Sequence, residues 1–306
     1  MDTQGKAYGY ALLSVLMWST AASAFKLSLD HLDFIELLFY SSLSSWVVLL
    51  LILTAQGKLC QIRAYSRADM VNSAKLGFLN PFLYYVVLFK AYSLLPAQEA
   101  QPLNFTWPLM LAVLSIPLLK QKITFMSILA LLISFSGVFL ISTHGDILGF
   151  QFTDPLGAGL AMGSGIVWAL FWIYNIRDER DEVCKLFLNF LFGFLFITIP
   201  FLYYTDLTPP PLSGSLGGIY VGLFEMGLTF VVWMRALKFS EQTSHVANLI
   251  YATPFASLVF IHFVVGEEIL DSTVIGLFLI VTGILIQQSA SRFSKDDGEG
   301  SGSTTL

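Results

Sequence analysis

Residues 136–141 read Ser136-Gly137-Val138-Phe139-Leu140-Ile141, and residues 282–287 read Thr282-Gly283-Ile284-Leu285-Ile286-Gln287. Gly283 follows Gly137 by 146 positions, and the same offset carries Pro108 to Pro254 and Ile123 to Ile269. An offset of 145 pairs Lys90-Ala91 with Arg235-Ala236, and one of 150 pairs Trp18 with Trp168. The order is kept and the spacing is nearly constant. The chain therefore reads as two copies of one unit, 1–145 and 146–293, followed by a tail.

Each copy holds five apolar stretches. A transmembrane helix needs about 20 mostly apolar residues to cross a hydrocarbon core about 30 Å thick. Ten segments qualify: Tyr8–Leu29, Phe34–Thr54, Asn72–Leu95, Ala97–Leu119, Ile123–Thr143, Pro155–Ile176, Cys184–Tyr204, Ser215–Leu237, Thr243–Val265 and Ser272–Ala290. Of the 306 residues, 56% are apolar and 12% charged, against about 25% charged in soluble domains. That deficit excludes a soluble globular protein. The connections are too short for a separate soluble domain, and 294–306, rich in Gly, Ser and Asp, reads as a disordered cytoplasmic tail.

Lys and Arg collect on the cytoplasmic side of membrane proteins. With the N-terminus inside, 14 of the 16 basic residues face the cytoplasm, and Lys26 and Lys90 face out. Five spans per copy is an odd number, so the second copy is inverted relative to the first. The expected fold is an all-α membrane protein of ten transmembrane helices, arranged as two inverted five-helix repeats with both termini cytoplasmic. Inverted repeats accompany alternating access around a site near the midplane. Ala22-Ser23-Ala24 resembles a signal-peptidase site. Cleavage there would leave nine spans and break the repeat, so the first helix is read as retained.

Two such copies, each with a Trp in its first helix and a Pro in its fourth, resemble the EamA-type members of the drug/metabolite transporter superfamily. The resemblance covers nearly the whole chain, 8–291. Gly266-Glu267-Glu268-Ile269 resembles the family's G-E-R-L-type turn before the last helix, whereas the first copy departs from it with Lys120-Gln121-Lys122-Ile123. Trp18-Ser19-Thr20, Asn104-x-x-Trp107-Pro108, Gln121-Lys122, Trp168, Trp233 and Tyr251-x-Thr253-Pro254 are similar to bacterial aromatic amino acid exporters. That resemblance implies a multi-pass exporter of the bacterial inner (plasma) membrane. It also implies a central cavity lined by the first, third, fourth, sixth, eighth and ninth helices. Members with similar motifs carry different metabolites, so nucleosides, sugars and cationic compounds stand beside amino acids as cargo.

A polar side chain at membrane depth is costly and marks a site by default. The alternative in each case is packing or hydrogen bonding between helices. In the fourth helix Gln98, Gln101, Asn104 and Trp107 recur every three residues on one broad face, and Pro108 frees a carbonyl one turn earlier. The ninth helix, its repeat partner, carries a similar stripe of His245, Asn248 and Tyr251, followed by Thr253 and Pro254. Trp18 and Trp168 fall mid-helix rather than at an interfacial belt, and suit an apolar or aromatic substrate body. Ser19 and Trp172 lie nearby on the same helices, and Tyr84 lies in the third helix, where Asn80-Pro81 mark a break before it. Glu225 falls near the midplane and serves to bind an amine, to carry a proton, or as a structural hydrogen-bonding group. The expected substrate-binding set is Trp18, Ser19, Tyr84, Gln101, Asn104, Trp107, Trp168, Trp172, Glu225, Asn248 and Tyr251. Lys90 and Glu99, at facing ends of two helices, are expected to pair, either in an outer gate or as a solvated surface pair. Gly159-x-x-x-Gly163 and Gly218-x-x-x-Gly222 signal close helix approach.

No G-x-S-x-G, P-loop or H-E-x-x-H occurs. His31, His144, His245 and His262 fall in four segments, and Cys60 and Cys184 read as two free thiols. No cofactor, metal or enzyme activity is expected, a membrane-embedded enzyme or sensor being the remaining alternative. The basic residues follow topology and call for no nucleic acid. The expected partners are a small-molecule substrate and the lipid bilayer, with the chain a monomer or homodimer.

Overall fold

The computed structural model describes residues 3–119, 125–146, 153–206, 208–240, 246 and 248–300, with side chains for all of these except 115, 116, 119 and 290–300. The described residues are helical throughout, with no strand among them. Seven helices are long and apolar enough to cross a membrane. They are α1 (Thr3–Leu29), α2 (Phe34–Ala55), α5 (Phe125–Ser142), α6 (Pro155–Ile176), α7 (Glu182–Tyr204), α8 (Leu212–Phe239) and the apolar part of α10 (Asp271–Gly300). A shorter apolar helix, α9, covers Leu249–Val265. The remaining two spans are interrupted. Arg67–Gly77, Phe78–Leu83 and Tyr84–Leu94 make up α3, and Ala97–Asn104 with Trp107–Leu119 make up α4. The protein is thus the ten-helix membrane protein expected from the sequence. The last helix continues to Gly300, through the start of the stretch read as a tail. The turn Lys120-Gln121-Lys122-Ile123 and His245 lie outside the described residues.

Local chemistry sets the helix starts. Asp33 and Ser66 begin α2 and α3 with capping boxes, completed by Glu36 and Asp69. Asp154 caps α6 ahead of Pro155, and Asp181 caps α7. Between α9 and α10, Gly266 turns the chain at φ +83°, a left-handed conformation that glycine adopts without steric cost.

The packing obeys the repeat. Helix α1 packs along α8 as α6 packs along α3; α2 lies against α7, and α5 against α10. These pairs map onto one another when each helix is exchanged for the one five places on. Glycines fix the crossings. A side chain on Gly77 of α3 would run into the Asn189 carbonyl and Phe192 of α7, and one on Gly222 of α8 would run into the Ser41 carbonyl and Ser44 of α2. Gly77 and Gly222 are related by the 145-residue offset seen in the sequence. Gly137 and Gly283 meet the opposing helix across the α5–α10 seam, at Leu279 and at Ser134. Gly218 abuts Tyr40, as its motif predicts, but Gly159 and Gly163 face open space. The close approach expected of that pair is absent among the described residues; α6 turns Gly165 inward instead, where an added side chain would meet the backbone of Trp107 at 3.4 Å.

One end of the bundle holds both termini, as an even number of spans requires. There the connection between α6 and α7 is fastened to its neighbours. Arg180 binds Asp178 at 2.5 Å and reaches the Asp69 carbonyl and Ser73 of α3, while Lys58 binds Asp181 at 2.5 Å. Cys184 is buried nearby and Cys60 is exposed, both as free thiols.

Replacing Gly77 or Gly222 by leucine is expected to lower the thermal midpoint in detergent, at a cost of about 1–3 kcal/mol for overpacking, while Gly159→Leu leaves it within a degree or so of wild type. Burial pushes the Asp178 and Asp181 carboxyls up, but Arg180 and Lys58 outweigh it and hold both below the ordinary carboxylate value. A carboxyl held low stabilises the fold above its ordinary pKa of about 4 and loses that contribution as pH falls through the lowered value. The midpoint should therefore drop on acidification below pH ~4, and Arg180→Gln should remove the Asp178 share of that drop.

Candidate functional site

Four interruptions of the helices lie at membrane depth, in two repeat-related pairs. In α3 the backbone leaves helical geometry at Asn80 (φ −146°, ψ 120°), before Pro81. In α8 the segment Gly222–Gly227 winds as a π-helix. In α4 the chain breaks between Asn104 and Trp107, and in α9 the stretch Leu249–Ala252 is a 3₁₀ turn. Pro81, Pro108 and Pro254 carry no N–H to bond the preceding turn. Irregular backbone is tolerated inside a membrane where it lines a cavity or is covered by protein.

A cavity of about 710 Å³ lies against these breaks, between the two halves. Ten of the eleven residues expected to bind substrate line it: Trp18, Tyr84, Gln101, Asn104, Trp107, Trp168, Trp172, Glu225, Asn248 and Tyr251. Ser19 does not. It is fully buried and donates to the carbonyls of Val15 (2.6 Å) and Thr253 (3.3 Å), fastening α1 to α9. The cavity extends to Ile176, Arg177, Leu237 and Gln288, at the end of the bundle that holds the termini.

Aromatic rings form a continuous wall. Tyr84 lies 4.6 Å from both Tyr85 and Trp168, Trp168 5.7 Å from Phe230, and Trp18 6.0 Å from Phe230 and 5.5 Å from Trp233. Glu225 sits in this wall. Its Oε1 accepts from the Tyr85 hydroxyl at 3.1 Å, and its backbone carbonyl, in the π-helical segment, accepts from the Trp18 indole at 3.4 Å. Asn104 lines the cavity and also locks three helices. Its amide donates to Ser164 at 2.8 Å and its oxygen accepts from Tyr84 at 3.4 Å. Tyr251 accepts a hydrogen bond from Gln288. Sequence reading missed Tyr85 and Phe230. The 145-residue offset pairs them, and it would have marked both as facing the axis between the copies.

At the other end of the bundle the cavity is shut. Phe25 packs on Tyr92 at 5.2 Å and on Phe89 at 4.9 Å, and Lys26 donates to the carbonyls of Tyr92 and Leu95. The Glu267 carboxylate accepts from the backbone N–H groups of Ala97 (2.7 Å) and Gln98 (3.0 Å) at the start of α4. The Gln98 side chain donates to the Glu268 carbonyl and accepts from the Leu270 N–H and the Thr273 hydroxyl. Gln98 thus belongs to a clasp between the halves rather than to the cavity.

The expected Lys90–Glu99 pair does not form. Glu99 is 2% exposed and binds His144 at 2.6 Å and Thr153 at 2.9 Å, while the Lys90 ammonium lies 5.2 Å above the Phe34 ring. The turn at Pro96 sends the two side chains to different neighbours, Lys90 toward α2 and Glu99 toward the end of α5. Glu99 is therefore neither a surface group nor a partner of Lys90.

Cutting the clasp should favour opening at this end. In Gln98→Ala or Glu267→Gln, a cysteine placed at Leu88 is expected to react several-fold faster than in the otherwise unchanged protein with a membrane-impermeant thiol reagent added to sealed vesicles from the clasp side only. Equal rates would show that the clasp does not hold the closure.

The sequence profile of the EamA-like transporter family matches residues 5–143 and again residues 155–287. The uncharacterized transporter YvbV of Bacillus subtilis (strain 168) is 26% identical over 223 residues, covering 71% of each chain. An uncharacterized transporter of Acidianus ambivalens is 29% identical over 215 residues, 68% of this chain and 81% of its own. One from Archaeoglobus fulgidus is 23% identical over 280 residues, 90% of this chain and 94% of its own. A solved crystal structure superposes with a TM-score of 0.65 at 19% identity, covering 94% of this chain and 98% of its own, and shares the fold. Two profile matches, one to each half of a ten-helix bundle built around a cavity, place this chain in the EamA-like transporter family.

Proposed function

We propose that the protein is a secondary transporter that exports amino acids or similar small amphipathic metabolites across the bacterial inner membrane. The observation that carries this reading is the cavity itself: about 710 Å³, walled by aromatic rings, shut at one end by residues of both halves and reaching the other end. Ligand sites for small molecules run from about 300 to 1,000 Å³. With the termini in the cytoplasm, as the basic residues indicate, the cavity faces inward and is set to load from the cytoplasm.

Alternating access follows from the symmetry. Each half presents one broken helix of each kind to the cavity, so rocking one half against the other exchanges the open and closed ends around a fixed site. Trp107 and Trp172 hold the substrate body, and Gln101, Asn104 and Asn248 meet its polar groups. Likeness to aromatic amino acid exporters in Trp18, Asn104, Trp107 and Tyr251 makes phenylalanine and tryptophan the first cargo to test.

Labelled phenylalanine or tryptophan should enter proteoliposomes preloaded with the same amino acid. Trp107→Ala should cut the initial rate about tenfold or more, the equivalent of ~1.4 kcal/mol of lost binding. Undiminished uptake in a double Asn104→Ala, Trp107→Ala variant would overturn the site. No uptake by the folded wild-type protein would remove amino acids as cargo, and competition by unlabelled nucleosides, sugars and amines would then identify the class.

A further inference from the structure

The charges of the cavity are uneven. Among its described lining residues Glu225 is the one carboxylate and Arg177 the one cation. Arg177 lies at the end of α6, nine residues past Trp168, or about 13 Å farther along the helix. The two charges therefore do not neutralise each other. Among the described residues the Glu225 carboxylate receives one hydrogen bond, from Tyr85 to Oε1, and Oε2 receives none. The cavity wall beside it holds Trp18, whose indole donates to the Glu225 backbone carbonyl, and the paired rings of Tyr84 and Trp168. A carboxylate with a free oxygen on the aromatic wall of a cavity at membrane depth is the chemistry that recognises a positive nitrogen.

We propose that this site selects amphipathic organic cations, primary to quaternary amines, over zwitterions. The nitrogen sits at Glu225 on the aromatic wall, and the apolar body extends past Trp107 and Trp172 toward the cavity mouth. The α-carboxylate of a zwitterionic amino acid lies only two bonds from its ammonium. With the ammonium on Glu225, that carboxylate finds no cation within reach among the described lining residues and faces a like charge instead. The parent amine, or an ester, keeps the favourable contact and loses the unfavourable one. Uncharged sugars and nucleosides bring no positive charge to Glu225. This inference rests on the transport reading and narrows its substrate class to the decarboxylated or esterified relatives of aromatic amino acids.

The test uses the purified full-length protein in proteoliposomes. Counterflow of labelled phenyltrimethylammonium, whose permanent charge prevents leakage as a neutral base, is measured for wild type, Glu225→Gln and Glu225→Asp. Wild type should take it up, Glu225→Gln should lose at least tenfold in rate, and Glu225→Asp should retain part of it. In wild type alone, unlabelled tryptamine should compete at a concentration at least tenfold below that of tryptophan, an arm that stands even if the variants do not fold. Uptake of tryptophan or phenylalanine by wild type without uptake of the ammonium ion overturns the cation inference and leaves the transporter intact. Equal rates in wild type and Glu225→Gln overturn the role of Glu225. Failure to move any of the three compounds, in protein shown to be folded, removes both this inference and the amino acid reading above.

Discussion

Hydrocarbon offers no hydrogen bond to a backbone that leaves the helix, and the rest of the architecture answers to that constraint. Four of the ten spans break near mid-depth: α3 at Asn80, α8 at Gly222–Gly227, α4 after Asn104 and α9 at Leu249–Ala252. Freed carbonyls and missing N–H groups at these points need protein or a lined cavity around them. The other helices supply it. Helices α2 and α7 cover the outer sides of α8 and α3, and α5 and α10 brace each other beside α4 and α9. The breaks face inward, and their polar edges, with Tyr84, Glu225 and Tyr251 beside them, become the walls of the cavity.

The bracing depends on a few glycines that let helices approach backbone to backbone. Gly77 against Asn189 and Gly222 against Ser41 are the same crossing made twice, once in each half. Gly137 and Gly283 repeat the device at the α5–α10 seam. Small residues take these places because in lipid the apolar surface of a helix gains little by leaving its surroundings, and close van der Waals contact has to hold the helices together. This is why the repeat survives in glycine and proline positions while the lipid-facing residues between them have drifted.

Much of this was legible in the sequence. Apolar length gave the spans, and offsets near 146 gave the two halves. Mid-helix Trp, Tyr, Asn, Gln and Glu gave ten lining residues, because a polar or bulky amphipathic group at that depth has few other uses. What failed depends on direction rather than on depth. Ser19 is one position from Trp18, and that single step turns it from the cavity toward Thr253. Lys90 and Glu99 share a level in the membrane but diverge across the turn at Pro96. Gly159 and Gly163 keep the spacing of a packing motif on a face of α6 that no other helix meets among the described residues. Gln98 shares the helical stripe of Gln101 and Asn104, yet it lies one turn nearer the end of α4, where the Glu267 turn claims it. Rotation about a helix axis is set by tertiary contacts, and a single sequence encodes it weakly.

The Glu267 clasp also bears on which way the empty carrier rests. Two conformations related by an inverted repeat have equal energy only if their closures are equivalent. Glu267 holds two backbone N–H groups through a carboxylate, and its counterpart 146 residues earlier is Gln121, an uncharged amide. Charge-assisted hydrogen bonds are roughly twice as strong as neutral ones. A closure of the same design at the termini end would therefore be the weaker of the two. Such an inequality between the two closures would tilt the resting equilibrium toward the form with the cavity open at the termini. It would give a symmetric scaffold a preferred starting side.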